Sequence, residues 1–337
     1  MSLDVSRRHE AARRGEDGKT ADLVSLLSTK TKLNNLQRAQ ELKELVGSGY
    51  LALIHADGNG VGSSAGTTDV ERARFFHRNR VLLRRAVQKA IDVACEDAST
   101  APLIPLMLGG DDLLVVCRGA TALPFVVTLC QTLADLQRDA KSDFTLTLGV
   151  GVVIAKYTIP IHRLHEVAEQ LASSAKRRFR GLKDDREKGR SVFDWAVHST
   201  AWVDDPGEVR RRDWLRGKGQ DVRVLSQRPI DVLGEGLGTL QGLVRGADKL
   251  VGAPRSQLRY LVDQLPRGRA LSELAFAELS KEARAALDEA GVKSPWRRAA
   301  GNGPWLTDLL DLVEIAEIGR LGRKAADSRP TKEAAHG

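Results

Sequence analysis

Residues 50–62 read YLALIHADGNGVG, and residues 103–117 read LIPLMLGGDDLLVVC. Each pairs an apolar run of strand length with an acidic, glycine-rich turn. Asp57-Gly58-Asn59-Gly60-Val61-Gly62 follows the strand Tyr50–Ala56, and Gly109-Gly110-Asp111-Asp112 joins Leu103–Leu108 to Leu113–Cys117 as a hairpin. Between them, Asp69 to about Asp97 has an approximate helical stripe of Val70, Ala73, Phe76, Val81, Leu83, Val87 and Ile91. Beyond them follow a helix over Thr121–Asp139, a strand over Phe144–Ala155, a helix from Pro160 to about Phe179 and a strand over Ser191–Val197.

The order β-α-β-β-α-β is the ferredoxin-like plan, here with a further helix and strand. In that plan the strand order is 4-1-3-2, so the first and third strands are neighbours. The end of the first strand and the Gly-Gly-Asp-Asp turn then share one rim, which places Asp57 beside Asp111 and Asp112. The fold class expected is α+β: a ferredoxin-like βαββαβ palm followed by an α-helical domain. The expected division is an N-terminal arm and helices over 1–48, the palm over 49–204, a helical domain over 205–321 and a disordered tail over 322–337. Within the arm, residues 21–47 read as one or two helices. Residues 207–223, with Arg210, Arg211, Arg212, Arg216, Lys218 and Arg223, read as an exposed basic linker.

Carboxylates at strand ends beside glycine suit divalent metal. Nucleotidyl transfer needs charge neutralised on the attacking and the leaving oxygen, which two Mg²⁺ or Mn²⁺ ions bridged by carboxylates supply. Asp57, Asp111 and Asp112 are therefore the candidate catalytic and metal-holding residues. Gly58, Asn59, Gly60, Gly62, Gly109 and Gly110 are candidates for close approach of a nucleotide to the backbone. Either motif alone also reads as a plain turn, but their shared rim favours chemistry. Lys176, near the end of the helix after the fourth strand, can reach a triphosphate as a point charge. It opens a run to Arg190 of eight basic and three acidic residues. His55 shares strand parity with Asp57 and reads as a half-buried structural histidine. His162 and His165 read as surface residues, and the five tryptophans are too scattered to form a base-stacking platform.

These residues resemble the palm domain of the large subunit of type III CRISPR complexes. The resemblance rests on DGNGVG at 57–62, GGDD at 109–112, Gly149–Ile154 followed by Pro160, and the Ala168–Lys176 helix. The last is also similar to the matching helix of GGDEF-type diguanylate cyclases. The resemblance implies a palm that converts ATP to cyclic oligoadenylates or cyclic dinucleotides in antiviral defence. It puts Asp57, Asp111 and Asp112 at metal positions and Lys176 facing the triphosphate. A cyclase using GTP is a second reading. A catalytically idle palm that binds RNA or protein in a CRISPR effector complex is a third, and the basic segments 72–89, 176–190 and 210–223 point toward it. The family's large subunits pair two palms and one is recognisable here, so a homodimer or a borrowed partner is implied. The family's His-Asp nuclease dipeptide is absent.

Bulk properties agree with a polyanionic partner. The 337 residues carry a net charge of +8. Cys95, Cys117 and Cys130 form no CxxC pair, which argues against a zinc knuckle or a disulfide framework and fits buried thiols in a reducing cytoplasm. The first residues lack an apolar signal core and no apolar run reaches the roughly 18 residues of a membrane span, so a cytoplasmic protein with no membrane contact is expected.

Overall fold

The computed structural model describes residues 31–39, 41–46, 49–138, 144–182, 189–198 and 205–327. Residues 1–30 of the expected N-terminal arm, with the start of the helical stretch expected over 21–47, lie outside these residues. What is described there is a 3-10 turn at Lys32–Asn35 and the short helix α1 (Leu42–Val46). The elements that follow are β1 (Tyr50–Gly58), α2 (Asp69–Ala94), β2 (Leu103–Leu108), β3 (Leu113–Arg118), α3 (Gly119–Asp135), β4 (Leu148–Lys156), α4 (Ile161–Gly181) and β5 (Val192–His198). The sheet order is β2-β3-β1-β4-β5-β8, where β8 is Ile230–Asp231. Its first four members reproduce the expected 4-1-3-2 order. β1 is antiparallel to both β3 and β4, and β5 extends the sheet parallel to β4.

Both faces of the sheet are covered, which is why its strands are nearly continuously apolar. Ala52, Ile54 and Ala56 of β1 face α2 and α3 in one core cluster. Leu51 and Leu53 face α4 and α1 in a second. Helix α2 starts at a capping box in which Thr68 accepts from Glu71 N and the Glu71 carboxylate accepts from Thr68 N. Its buried face is Asn79, Leu83, Ala86, Val87, Ala90 and Ile91. The expected stripe was right toward its C-terminal end and wrong at its start, where Val70 is 60% exposed because the first turn stands clear of the sheet.

Two other readings change. Phe144–Thr147 precede β4 instead of belonging to it, because the Thr147 carbonyl accepts from Asn59 N (2.8 Å) and ties this segment to the loop after β1. Residues 207–223 are exposed at Arg211, Arg212 and Lys218, as expected, but they are more than a linker. They hold the short helix α5 (Pro206–Val209), a π-helical turn at Arg210–Trp214, β6 (Leu215–Arg216) and the start of β7 (Arg223–Val224). Arg210 ion-pairs with the fully buried Asp194 of β5 and donates to Ser174 Oγ of α4 (2.6 Å), while Arg223 is 7% exposed.

The rest of the chain is helical: α6 (Leu240–Lys249), α7 (Arg255–Gln264), α8 (Arg269–Ala277), α9 (Lys281–Glu289) and α10 (Leu309–Asp327), with β9 (Arg297–Arg298) and β10 (Trp305–Leu306) before the last. A small sheet is ordered β6-β7-β10-β9. Helix α10 packs on α6 and α3, and the first core cluster continues through Leu243 and Leu312. Arg228, also buried, fastens this region to the sheet. Its Nε donates to Asp311 (2.8 Å), its Nη1 donates to the Trp195 carbonyl (3.1 Å), and its guanidinium lies 3.8 Å from the Trp195 ring centroid.

Helix α4 lies unusually close to β4. A Cβ on Gly151 would fall 2.1 Å from the Ala168 carbonyl oxygen and 2.4 Å from Ala172 N, and one on Gly149 would fall 2.7 Å from Lys176 Cγ. Glycine inside a strand often marks such a close backbone approach. Gly151→Ala is therefore expected to destabilise the protein by about 1–3 kcal/mol. Gly181→Ala, where a Cβ meets nothing within 4 Å, serves as the control. Urea midpoints of the two variants check this.

Candidate active site

Three backbone devices build the site. Asp57 is the penultimate residue of β1, opposite Gly149 of β4. Gly109 N donates to the Asp112 carbonyl (2.8 Å), closing the Gly-Gly-Asp-Asp loop just beyond the Leu108–Leu113 pair. Gly58 lets that loop come in: a Cβ there would lie 2.9 Å from both Cβ and Oδ2 of Asp111 and 2.5 Å from Val61 Cγ2. The result is that Asp57, Asp111 and Asp112 each present a carboxylate oxygen within 4.8 Å of the other two. All three side chains are half-buried.

This charge cluster is not balanced by protein alone. Burial and the charge of Asp57 raise the pKa of Asp111. Burial, the charge and hydrogen bond of Asp57, and the charge of Asp111 push Asp112 up to about 6. Among the described residues the Lys176 ammonium answers them, ion-pairing with Asp57. The donor set is oxygen-only and carboxylate-rich, carries surplus negative charge and opens onto a cavity. That is the chemistry of a Mg²⁺ or Mn²⁺ site, and the three aspartates are the residues that fit it.

The cavity has a volume of about 960 Å³. Asp57, Asp111 and Lys176 lie on its wall with Phe144, Phe179 and Arg180. The proposed nucleotide-binding glycines behave differently from one another. Gly60 has φ +67°, a conformation that favours glycine, and its carbonyl accepts from Ser63 Oγ (3.0 Å). At Gly62, which lines the cavity, and at Gly110 a Cβ would meet nothing within 4 Å, so among the described residues no contact requires glycine there. Gly109 makes only ordinary contacts with its own loop. Asn59 is buried, and its Nδ2 donates to Thr147 Oγ1 (3.1 Å), so it braces the loop against the segment before β4.

The sequence reading missed Phe144, Phe179 and Arg180. Arg180 lies one helical turn beyond Lys176, a usable signal. Phe144 reaches the cavity only because its segment leaves the strand. His55 is half-buried, as expected, and its pKa is lowered by burial and then by the charge of His165. His165 corrects the surface reading: its ring stacks on His55 with centroids 5.6 Å apart, because α4 crosses β1 there. Neither ring lines the cavity.

A ferredoxin-like sheet with aspartates converging at the ends of β1 and the β2–β3 hairpin defines a palm domain, the class that carries nucleotidyl-transfer and cyclase chemistry. Comparison with known families is specific. Residues 50–185 match the family described as Cas10/Cmr2, second palm domain, so this segment is similar to a palm domain of the type III CRISPR large subunit. No curated protein sequence matches the chain. Among solved structures, the Csm1–Csm4 cassette in complex with pppApApA aligns over 82% of this chain and 38% of its own, at 13% identity and a TM-score of 0.48. Csm1 in T. onnurineus aligns over 85% of this chain and 41% of its own, at 15% identity and a TM-score of 0.41. The Csm1–Csm4 cassette in complex with AMPPNP aligns over 40% and 21%, at 18% identity and a TM-score of 0.34. The aligned part thus spans at most 41% of the length of these structures.

The shifted Asp112 makes a pH prediction. Its native pKa of about 6 lies above the ordinary 3.8, so the native state holds a proton that the unfolded chain releases. Its contribution to metal-free stability is fully present below the lower value and is lost as pH rises toward the upper one. Asp112→Asn should therefore gain on wild type in urea midpoint as pH rises from 4 to 6, and Mg²⁺ should shrink that gain.

Proposed function

We propose that this chain is a divalent-metal-dependent nucleotidyltransferase whose palm converts ATP to a cyclic oligoadenylate or cyclic dinucleotide. The observation that carries this reading is the convergence of Asp57, Asp111 and Asp112 within 4.8 Å beside Lys176, in a segment matching the Cas10/Cmr2 palm. In the proposed reaction a ribose 3′-hydroxyl attacks the α-phosphate of a second nucleotide and pyrophosphate leaves. Repetition extends the strand, and a final attack closes the ring.

The three aspartates hold Mg²⁺ or Mn²⁺, which when bound neutralises charge on the attacking and leaving oxygens. Lys176 and Arg180 of α4 serve the triphosphate, Lys176 as a flexible point charge and Arg180 through its guanidinium fork. Phe144 and Phe179 offer an apolar surface to the base. Gly62 and Gly110 leave backbone open to phosphate oxygens. On this reading 49–204 is the catalytic unit and 205–321 its helical support, and the protein works in the cytoplasm beside other CRISPR effector subunits. The idle-palm reading has less support, because without a metal three half-buried carboxylates are left repelling one another, the repulsion that helps raise the Asp112 pKa.

Purified protein incubated with ATP and Mg²⁺ or Mn²⁺, with and without candidate RNA, is expected to release pyrophosphate and yield cyclic adenylates by mass spectrometry. Asp57→Ala and Asp111→Ala should each reduce this more than about a hundredfold, beyond the loss typical of residues that only orient metal ligands. Absence of product from wild type in every arm would reject the proposal.

Lys176 makes a separable prediction. Because its ammonium neutralises Asp57, Lys176→Met should tighten Mn²⁺ binding while raising the KM for ATP. Calorimetric Mn²⁺ titration and steady-state kinetics read the two effects independently.

A further inference from the structure

A second cavity, of about 610 Å³, shares no lining residue with the first. Three segments far apart in the chain build it: Gln220–Asp221, Arg267–Leu271 at the start of α8, and Arg298 of β9 with Trp305 of β10. Arginine dominates its wall. The Arg269 guanidinium lies 3.7 Å from the Trp305 ring centroid and that of Arg298 lies 4.9 Å away. Arg298 is further held by donating to the Gln220 carbonyl (3.1 Å) and the Asn302 carbonyl (3.3 Å). Behind them the buried Arg223 donates to the Leu265 carbonyl (3.2 Å).

The carboxylates at this cavity are already matched. Asp221 lies 3.4 Å from Arg223, and Glu273 lies 3.5 Å from Arg269. Among the described residues, Arg267 and Arg298 thus add positive charge that no carboxylate answers. Arg267 is exposed and does not join the stack on Trp305, so packing of the small sheet does not account for it. With guanidiniums against the Trp305 ring, a base has little room to stack. The groups left to a ligand are guanidinium N–H donors, whose planar forks suit phosphate oxygens.

We propose that this cavity binds a phosphate group, carried by a nucleotide or by an oligonucleotide strand, without reading the base. The site is independent of the metal chemistry proposed for the palm.

The test is calorimetric titration of the full chain, without divalent metal, against inorganic tripolyphosphate, a ten-nucleotide single-stranded RNA and a polyglutamate peptide. Lys176→Met serves as the background, so that the palm cavity contributes least. Arg267→Glu and Arg298→Gln should each weaken tripolyphosphate or RNA at least tenfold, while the urea midpoint of Arg267→Glu stays that of its background. The change in tryptophan fluorescence on binding should vanish in Trp305→Phe. Loss confined to tripolyphosphate identifies a nucleotide's phosphates, and loss confined to RNA identifies a strand. Unchanged affinity for both phosphate probes in Arg267→Glu, or a response to polyglutamate alone, overturns the proposal.

Discussion

Strand β1 is hydrogen-bonded on both edges, to β3 from Leu51 to Ala56 and to β4 from Tyr50 to Gly58, and this double pairing sets where Asp57 stands. A strand held on one edge can slip. A slip of one residue would turn Leu51, Leu53 and His55 to the opposite face and carry Asp57 with them. With both ladders in place the register is fixed by two apolar cores at once. The antiparallel pairing with β3 then brings the Gly-Gly-Asp-Asp loop to the same rim, and the glycine at 58 removes the one atom that would hold Asp111 away.

What the fold assembles there is electrostatically unfavourable by itself. Three carboxylates share a half-buried space, one is pushed into retaining its proton to about pH 6, and Lys176 supplies an opposing charge. Like charges are brought together at a cost in stability, which a bound cation would recover. The same arrangement explains why α4 must lie so close to β4. Only with Gly149 and Gly151 bare can the Lys176 stem run across the strand end to reach Asp57.

The segments after β5 are bound to the palm by charge as well as by packing. Arg210 joins Asp194 of β5 to Ser174 of α4, two residues before Lys176. Arg228 joins Trp195 to Asp311 and Glu314 of α10. Guanidiniums taken partly (Arg210) or fully (Arg228) out of water are costly unless every neighbour is placed to receive them. They therefore couple the position of the site-bearing helix to the helical region around it.

Much of this was legible in the residues. Apolar runs bounded by glycine and aspartate are read as strands because a strand buried on both faces has little use for polar side chains. The βαββαβ order, the neighbouring of β1 and β3 and the meeting of Asp57 with Asp111 and Asp112 follow from that pattern and from chain topology. The tertiary structure alone decided the rest. It moved Phe144 out of β4 and into the cavity wall, stacked His165 on His55, paired Arg210 with Asp194 and buried Arg223 where the charge pattern read as a solvated linker, and gathered Arg267, Arg269, Arg298 and Trp305 at one cavity. Local sequence carries periodicity and turn chemistry, which are properties of a few consecutive residues. Which distant arginine meets which carboxylate or ring depends on packing between segments as far apart as the 83 residues from Arg228 to Asp311, and no local pattern records it.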